Sequence, residues 1–133
     1  YRVMGLQGVE MILLGFNTPA VNSLDCGEGP DMRLFHHRLS LQAGAYQNAT
    51  WVIATAKAGL EDGHPLIGCS VIVDPNGVIV AETKTEDDEL IVHECDLDRC
   101  EFGKSTIFDF ARHRRIEHYG LITSQAGAVV PGE

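Results

Sequence analysis

The sequence contains no hydrophobic run that approaches the ~20 residues of a transmembrane helix. Basic residues are also scarce, since 10 Lys and Arg stand against 19 Asp and Glu and give a formal net charge of -9. Such a charge repels phosphate backbones and anionic lipid surfaces. We therefore expect neither nucleic acid nor a membrane as a partner.

Cysteine is sparse, and a secretion signal is missing. The four cysteines, Cys26, Cys69, Cys95 and Cys100, lack the dense spacing of a disulfide scaffold. Two of them fall inside predicted strands, where a free Cys behaves as a small hydrophobe. The first residues include neither an initiator Met nor the basic and apolar regions of a signal peptide. We expect a cytoplasmic protein, and we expect that its sequence is truncated at Tyr1.

The length of 133 residues predicts one domain, 1–133. Hydrophobic residues at 44% and charged residues at 22% are the ordinary proportions of a globular protein that buries a core. The segment 123–133 is rich in Gly, Ala and Val and closes with Pro-Gly-Glu. We expect this tail to be extended or mobile.

Residues 68–82 carry the strongest local signal, two β-branched strands joined by an Asp-Pro-Asn-Gly turn at 74–77. The proline presets φ for the turn, and Asn-Gly tolerates the positive φ that a tight reversal needs. Val71 and Val73 share one face of the first strand, and Ile72 lies on the other. Both faces are apolar, so the hairpin must be covered twice, by helices or by a second sheet.

Apolar patterns predict the remaining helices and strands. Continuous apolar runs are typical of strands covered on both faces, and apolar residues at every third or fourth position indicate a helix. The predicted helices are a short one at 1–8 ending at Gly8, a long one at 32–48 capped by Asp31, and one at 106–113 capped by Ser105; the predicted strands outside the hairpin are 9–14, 51–56 and 89–95. This order predicts a layered α/β fold.

The long predicted helix carries its large apolar residues in one stripe. The stripe consists of Met32, Phe35, Leu39, Ala43 and Tyr46. A stripe with this spacing ordinarily faces the core.

Histidine and cysteine supply the first candidates for chemistry. His36 and His37 on the long helix can act as acid, base or ligand near neutral pH, but no second ligand or carboxylate stands at helical spacing. The favoured interpretation is one packed His and one surface His. Cys26 lies in a Gly-rich loop with nothing nearby to form its thiolate.

Two further clusters are better explained by structure than by chemistry. His93, Cys95 and Cys100 lack the paired spacing of a zinc site, so no metal is predicted. The basic run at 112–115 is either a small anion site or, as we favour, a solvated helix end.

Asn17 and Thr18 are the most informative polar pair. They follow a buried strand, the place where layered α/β proteins present ligand-facing groups. Ordinary turn formation ahead of Pro19 explains them equally well. The residues by themselves therefore give no complete catalytic constellation.

Several pieces of the chain, taken in order, resemble a known family. The pieces are MGLQGVE at 4–10, GFNTP at 15–19, FHH at 35–37, LSLQAGAYQN at 39–48, the hairpin, and HYGLI at 118–122. Their order resembles the C-terminal half of an N-carbamoyl-D-amino-acid amidohydrolase of the nitrilase superfamily. The resemblance extends to about Ile122.

The resemblance implies a fold, a reaction and a site. The fold is half of a four-layer α-β-β-α sandwich. The reaction converts an N-carbamoyl-D-amino acid to the D-amino acid, ammonia and carbon dioxide, without metal or cofactor. A Cys nucleophile, a Glu base and a Lys that stabilises the oxyanion all precede the position matching Tyr1, so no catalytic residue is expected in this chain. Asn17, Thr18 and His36 are expected to bind substrate in a homo-oligomeric enzyme, a dimer or tetramer.

Two alternatives remain open. Another carbon–nitrogen hydrolase, such as a β-ureidopropionase or an aliphatic amidase, has the same fold and triad, and the loop at 20–31 departs from the amidohydrolase pattern in length and composition. A non-catalytic interaction module is compatible with the missing triad. A Cys a few residues before Tyr1, with Glu and Lys earlier, would indicate the enzyme.

Overall fold

The computed structural model describes residues 1–21, 27, 29–130 and 132. The helices are α1 (Arg2–Leu6), α2 (Pro30–Asn48), α3 (Arg99–Phe102), α4 (Phe110–His113) and α5 (Gly120–Ser124), with a π-helical turn at Gly103–Ile107 and a 3-10 turn at Ile116–His118. The strands are β1 (Met11–Phe16), β2 (Trp51–Ala56), β3 (Leu60–Glu61), β4 (His64–Pro65), β5 (Val71–Val73) and β6 (Ile79–Glu82). Among the described residues, no helix has the length and hydropathy that crossing a bilayer requires.

Four strands form the main sheet in the order β1-β2-β5-β6. β1 and β2 are parallel and connected through α2, and the predicted hairpin adds β5 and β6 in antiparallel pairing. Val52 lies opposite both Ile12 and Val73, so branched apolar side chains adjoin across three strands. The strand predicted at 51–56 is confirmed, and the one predicted at 9–14 begins and ends two residues later. β3 and β4 form a separate ribbon within a segment predicted as loop.

The sheet is apolar on both faces, as the hairpin pattern predicted, and each face carries a hydrophobic cluster. The cluster on the face toward α2 includes Ile12, Leu41, Ala45, Val52, Cys69, Val71 and Val73. The cluster on the opposite face is built around Trp51, Ile72 and Cys100. Cys69 packs in the first cluster, as predicted for a small hydrophobe, but it precedes β5 with a φ of 65° and is not in a strand.

The prediction of a strand at 89–95 is wrong. This segment has no regular secondary structure, because it crosses the second face of the sheet instead of pairing along its edge. Ile91 and Cys95 pack against the Trp51 cluster, and the His93 ring lies 5.7 Å from that of Trp51. Leu90 and Val92 point away and are exposed. The alternation in the sequence reflects a one-sided contact rather than a strand ladder.

The second face is only partly covered. The segment 91–100 covers the end of the sheet near Met11 and Trp51. Farther along the same face, Leu13 is 71% exposed and lies opposite the partly buried Ile53. An apolar surface therefore remains open at this end of β1 and β2.

Helix α2 was predicted well in extent but not in orientation. It begins at Pro30, with Gly29 as N-cap and Asp31 in its first turn, so the predicted Asp31 cap is wrong. The predicted apolar stripe is exposed at Met32, Phe35, Leu39 and Tyr46. Leu41 and Ala45 face the sheet instead, His37 and Arg38 hydrogen-bond to the hairpin, and Gly44 makes room for the Tyr1 ring.

The C-terminal helices also differ from prediction. The helix predicted at 106–113 is interrupted at Phe108, and only Phe110–His113 is α-helical. Ser105 is not a cap, since its hydroxyl donates to the Glu101 carbonyl at 2.8 Å. Asp109 caps the helix by accepting from the Arg112 N–H at 3.1 Å.

The first and last helices, α1 and α5, lie near the two ends of the chain. Gly8 adopts φ 80° and closes α1 by donating to Gly5, as predicted. Helix α5 begins at Gly120 and extends into the predicted tail up to Ser124. Residues 125–130 contain no helix or strand.

Candidate functional site

The turn after β1 places Asn17 in a polar network that is centred on Glu61. Asn17 Nδ2 donates to Glu61 Oε2 at 2.9 Å, and Lys57 Nζ donates to Glu61 Oε1 at 2.5 Å. The hydrogen bonds from Lys57 and then Asn17 lower the pKa of Glu61. The side chain of Asn17 is therefore held by a specific partner, which an ordinary turn former does not need.

The backbone of the same turn is fixed from two sides. Thr18 O accepts from the Ile67 N–H at 2.9 Å, in the segment that follows β4. Pro19 O accepts from Arg33 Nη1 at 3.1 Å, on α2. The turn at 17–19 is thus anchored both to the β3-β4 segment and to the helix.

A cavity of about 480 Å³ opens beside this turn. Thr18 and His36 line it together, with Phe16 and Arg33 next to them. Asn17 is not among its lining residues and faces Glu61 instead. The structure thus brings together two of the three residues predicted to bind substrate, and that role stays a prediction for all three.

The two adjacent histidines have different environments. His37 Nε2 donates to the Cys69 carbonyl at 2.9 Å, and its ring lies 4.8 Å from that of Phe16. Burial lowers the pKa of His37 and outweighs that hydrogen bond. His36 is exposed at the cavity. The expectation of one packed and one surface His is confirmed.

A second charged cluster, which the sequence did not reveal, surrounds Glu82. Its Oε1 accepts from Arg38 Nε at 2.7 Å and from Cys69 Sγ at 3.1 Å, and its Oε2 accepts from Lys84 Nζ at 2.9 Å. Burial raises the pKa of Glu82, but these three hydrogen bonds outweigh burial and bring it to about 2. Burial and the neighbouring carboxylate raise the pKa of the Cys69 thiol to about 11. Cys69 is therefore protonated at neutral pH and is not a nucleophile.

We expect the complete gene product to lose the contribution of Glu82 to stability in acid. The pKa of Glu82 lies below its ordinary 4.5, so that contribution is fully present above pH 4.5 and is lost as pH falls through about 2. Glu82→Gln should lower the free energy of unfolding by about 1–3 kcal/mol at neutral pH. Urea titrations at a series of pH values should show this difference shrinking in acid.

The control is Glu117→Gln, because Glu117 is half exposed and pairs with Arg115 on the surface. It should change stability by less than about 0.5 kcal/mol at any pH. A Glu82→Gln effect that is the same at about pH 6 and about pH 2.5 would contradict the account of this cluster.

The other cysteine and histidine candidates do not form a site among the described residues. Cys100 is buried with its thiol 3.4 Å from the Glu10 carbonyl, and burial raises the pKa of both Cys95 and Cys100. No group of three metal-ligating side chains is found within the part of the chain that the structure describes. Cys26 lies outside the described residues.

A second concave region lies beside the hairpin. Its volume is about 830 Å³, and it is lined by the ends of β2 and β6 and by the acidic segment 86–89. Lys57 lines it as well, so the Lys57–Glu61 pair stands between this region and Asn17. None of the residues predicted to bind substrate lines it.

Comparison with known proteins defines the family. The family model described as carbon-nitrogen hydrolase matches residues 1–104. The chain therefore belongs to the carbon–nitrogen hydrolase family. A Staphylococcus lugdunensis protein named "Hydrolase in agr operon" is 35% identical over 78 residues, 59% of this chain and 33% of that protein.

Solved structures of this class have the same fold. A carbon–nitrogen hydrolase from Helicobacter pylori G27 superposes with a TM-score of 0.78 at 24% identity, over 95% of this chain and 45% of its own. The C. elegans NitFhit protein gives a TM-score of 0.68 at 27% identity, over 88% of this chain and 26% of its own. The predicted α/β fold of nitrilase type is confirmed. The chain spans less than half the length of each of these proteins.

Proposed function

We propose that this chain is the C-terminal part of an N-carbamoyl-D-amino-acid amidohydrolase, supplying one wall of the substrate pocket. The observation that supports this proposal is the turn at 17–19, which follows β1, is anchored on both sides and borders the cavity that Thr18 shares with His36. This is where the family resemblance expects the substrate. Family membership supports hydrolysis of a carbon–nitrogen bond.

The proposed reaction is covalent catalysis by a thiolate that the resemblance places before Tyr1. The thiolate attacks the carbamoyl carbon, the carbon–nitrogen bond breaks and ammonia leaves; one water then resolves the acyl-enzyme, and carbon dioxide and the D-amino acid are released. The described cysteines do not suit this role, since burial raises the pKa of Cys69, Cys95 and Cys100. The nucleophile is therefore assigned outside the described residues, with Glu as base and Lys at the oxyanion. The proposal includes no metal or cofactor.

Asn17→Ala in the complete gene product is expected to lower kcat/KM for an N-carbamoyl-D-amino acid about five- to a hundredfold. A hydrogen bond to a polar substrate that is left unmade costs roughly 1–3 kcal/mol, and this loss appears in kcat/KM. The melting temperature should change little, because the hydrogen bond between Asn17 and Glu61 is exposed to solvent. Steady-state kinetics and a thermal melt test both. Unchanged kinetics would make Asn17 an ordinary turn former.

A substrate panel separates this proposal from its alternatives. Ammonia release should be observed with N-carbamoyl-D-amino acids and should exceed that with N-carbamoyl-β-alanine or a simple aliphatic amide. Preference for N-carbamoyl-β-alanine would favour a β-ureidopropionase, and preference for the aliphatic amide would favour an amidase. No hydrolysis of any member by the complete gene product would favour a non-catalytic interaction module.

We also propose that the complete protein is a homo-oligomer in the cytoplasm. Large apolar side chains are exposed in the described C-terminal segment at Leu121, Ile122 and Val129, which supports burial against other protein. The net charge of -9 argues against nucleic acid as the partner. Sedimentation of the complete gene product tests the assembly.

A further inference from the structure

The carboxylate of Glu61 determines which end of the Asn17 amide is available to a ligand. An ionised carboxylate only accepts hydrogen bonds, and of the two ends of an amide only the NH2 donates. The 2.9 Å contact between Asn17 Nδ2 and Glu61 Oε2 therefore turns the NH2 group toward β3. The carbonyl oxygen, Oδ1, is the end of the amide that Glu61 does not engage, and it can only accept.

Glu61 is itself held in place. Lys57 Nζ donates to its second oxygen at 2.5 Å, which keeps the carboxylate charged and limits its rotation. Glu61 pairs with His64 across the β3-β4 ribbon. That ribbon is tethered to the same turn as Asn17, because the Ala20 N–H donates to the Pro65 carbonyl at 2.7 Å. The carboxylate and the amide are thus fixed to one unit.

We propose that Glu61 is a positioning residue that sets Asn17 as a hydrogen-bond acceptor for a substrate N–H group. This inference rests on the proposed function, in which Asn17 contacts the substrate. A carbamoyl group presents N–H donors on both of its nitrogens, whereas a carboxylate presents none at neutral pH. Asn17 therefore recognises the ureido end of the substrate and not its carboxylate.

The experiment exchanges the two functional groups. Asn17→Asp alone places two carboxylates within hydrogen-bonding distance and should lower kcat/KM at least about tenfold. Glu61→Gln alone allows the Asn17 amide to flip by 180°. This change should lower kcat/KM about three- to thirtyfold. The double variant of Asn17→Asp with Glu61→Gln keeps the net charge of the trio with Lys57. In this variant the amide at position 61 donates to one carboxylate oxygen at position 17, and the other carboxylate oxygen accepts from the substrate.

The double variant should therefore recover kcat/KM to within about threefold of the wild type. Asp62→Asn is the matched control, because it removes an exposed negative charge one residue from Glu61, and it should change kcat/KM by less than about twofold. A merely structural role for Glu61 predicts that kcat/KM follows the melting temperature through all the variants, whereas the proposal predicts losses of kcat/KM larger than the melting temperatures explain. A double variant no better than Asn17→Asp would overturn the proposal, since it would mean that Asn17 donates to the substrate.

Assays of the wild-type protein distinguish a failure of the proposed function from a failure of the role proposed for Glu61. If it does not hydrolyse N-carbamoyl-D-amino acids, the proposed function fails, and the exchange is then measured with whichever amide substrate it does hydrolyse. Recovery in the double variant would still support the role of Glu61 there. If no substrate is found, melting temperatures of the four proteins measure the coupling: additive changes would overturn the Glu61–Asn17 pairing, and recovery in the double variant would support it.

Discussion

Ammonia release from an N-carbamoyl-D-amino acid should stay at the level of the protein-free blank when the 133-residue chain is assayed alone. The proposed nucleophile, base and oxyanion lysine all precede the position of Tyr1. Burial keeps the thiol of Cys69 protonated, with a pKa of about 11. Loss of the nucleophile from a triad that acts as a unit lowers kcat on the order of a millionfold.

The complete gene product, assayed in parallel, is the control for this prediction. It should release ammonia under the same conditions, and alkylation of its thiols should stop the reaction. Ammonia release by the isolated chain above the blank, abolished by alkylation of one of its own cysteines, would show that the nucleophile lies within these residues.

Asp74→Ala should cause the largest loss of stability among single side-chain changes in the hairpin turn. Asp74 is 3% exposed, and its Oδ1 accepts the N–H groups of Asn76 and Val78, each at 2.9 Å. Its Oδ2 accepts from Arg99 Nη2 at 2.6 Å, and the Arg99 guanidinium lies 5.4 Å from the Trp51 ring. One carboxylate thus ties the turn to the segment that covers the second face of the sheet.

The expected loss is about 3 kcal/mol, because two backbone donors and one cation lose a buried partner. Asp74→Asn retains an acceptor for the turn and should cost roughly half as much. Asp87→Ala, an exposed acid in the following loop, is the control and should stay within about 0.5 kcal/mol. Urea unfolding of the complete gene product measures all three variants. A loss below about 1 kcal/mol for Asp74→Ala would contradict this description of the turn.

The elements that could be predicted from the sequence are those with local causes. The hairpin follows from its turn residues, and β2 and the extent of α2 follow from apolar runs and helical spacing. The orientation of α2 could not be predicted, because Leu41 and Ala45, together with polar groups that hydrogen-bond to the hairpin, face the sheet in place of the apolar stripe. The segment 89–95 alternates like a strand, but whether it pairs depends on which edge is within reach.

The candidate site was predicted in part for the same reason. The position of Asn17 after a buried strand is visible in the sequence, whereas its partner Glu61 lies 44 residues away. The Lys57–Glu61 ion pair was not predicted either, because i,i+4 spacing indicates a contact only on a helix and these residues lie in and before β3. The Glu82 cluster likewise joins α2 to β6 and depends on tertiary packing. Long-range polar contacts of this kind leave no periodic trace in a sequence.

The most direct test of the central claim is the stereochemical preference of the complete gene product. Ammonia release should be followed with the two enantiomers of one N-carbamoyl amino acid, and kcat/KM determined for each. The proposed function predicts hydrolysis of the D-enantiomer, with a kcat/KM at least about a hundredfold above that of the L-enantiomer, since roughly 3 kcal/mol separates a matched from a mismatched polar contact set. Equal rates for both enantiomers, or a preference for the L-enantiomer, would contradict it.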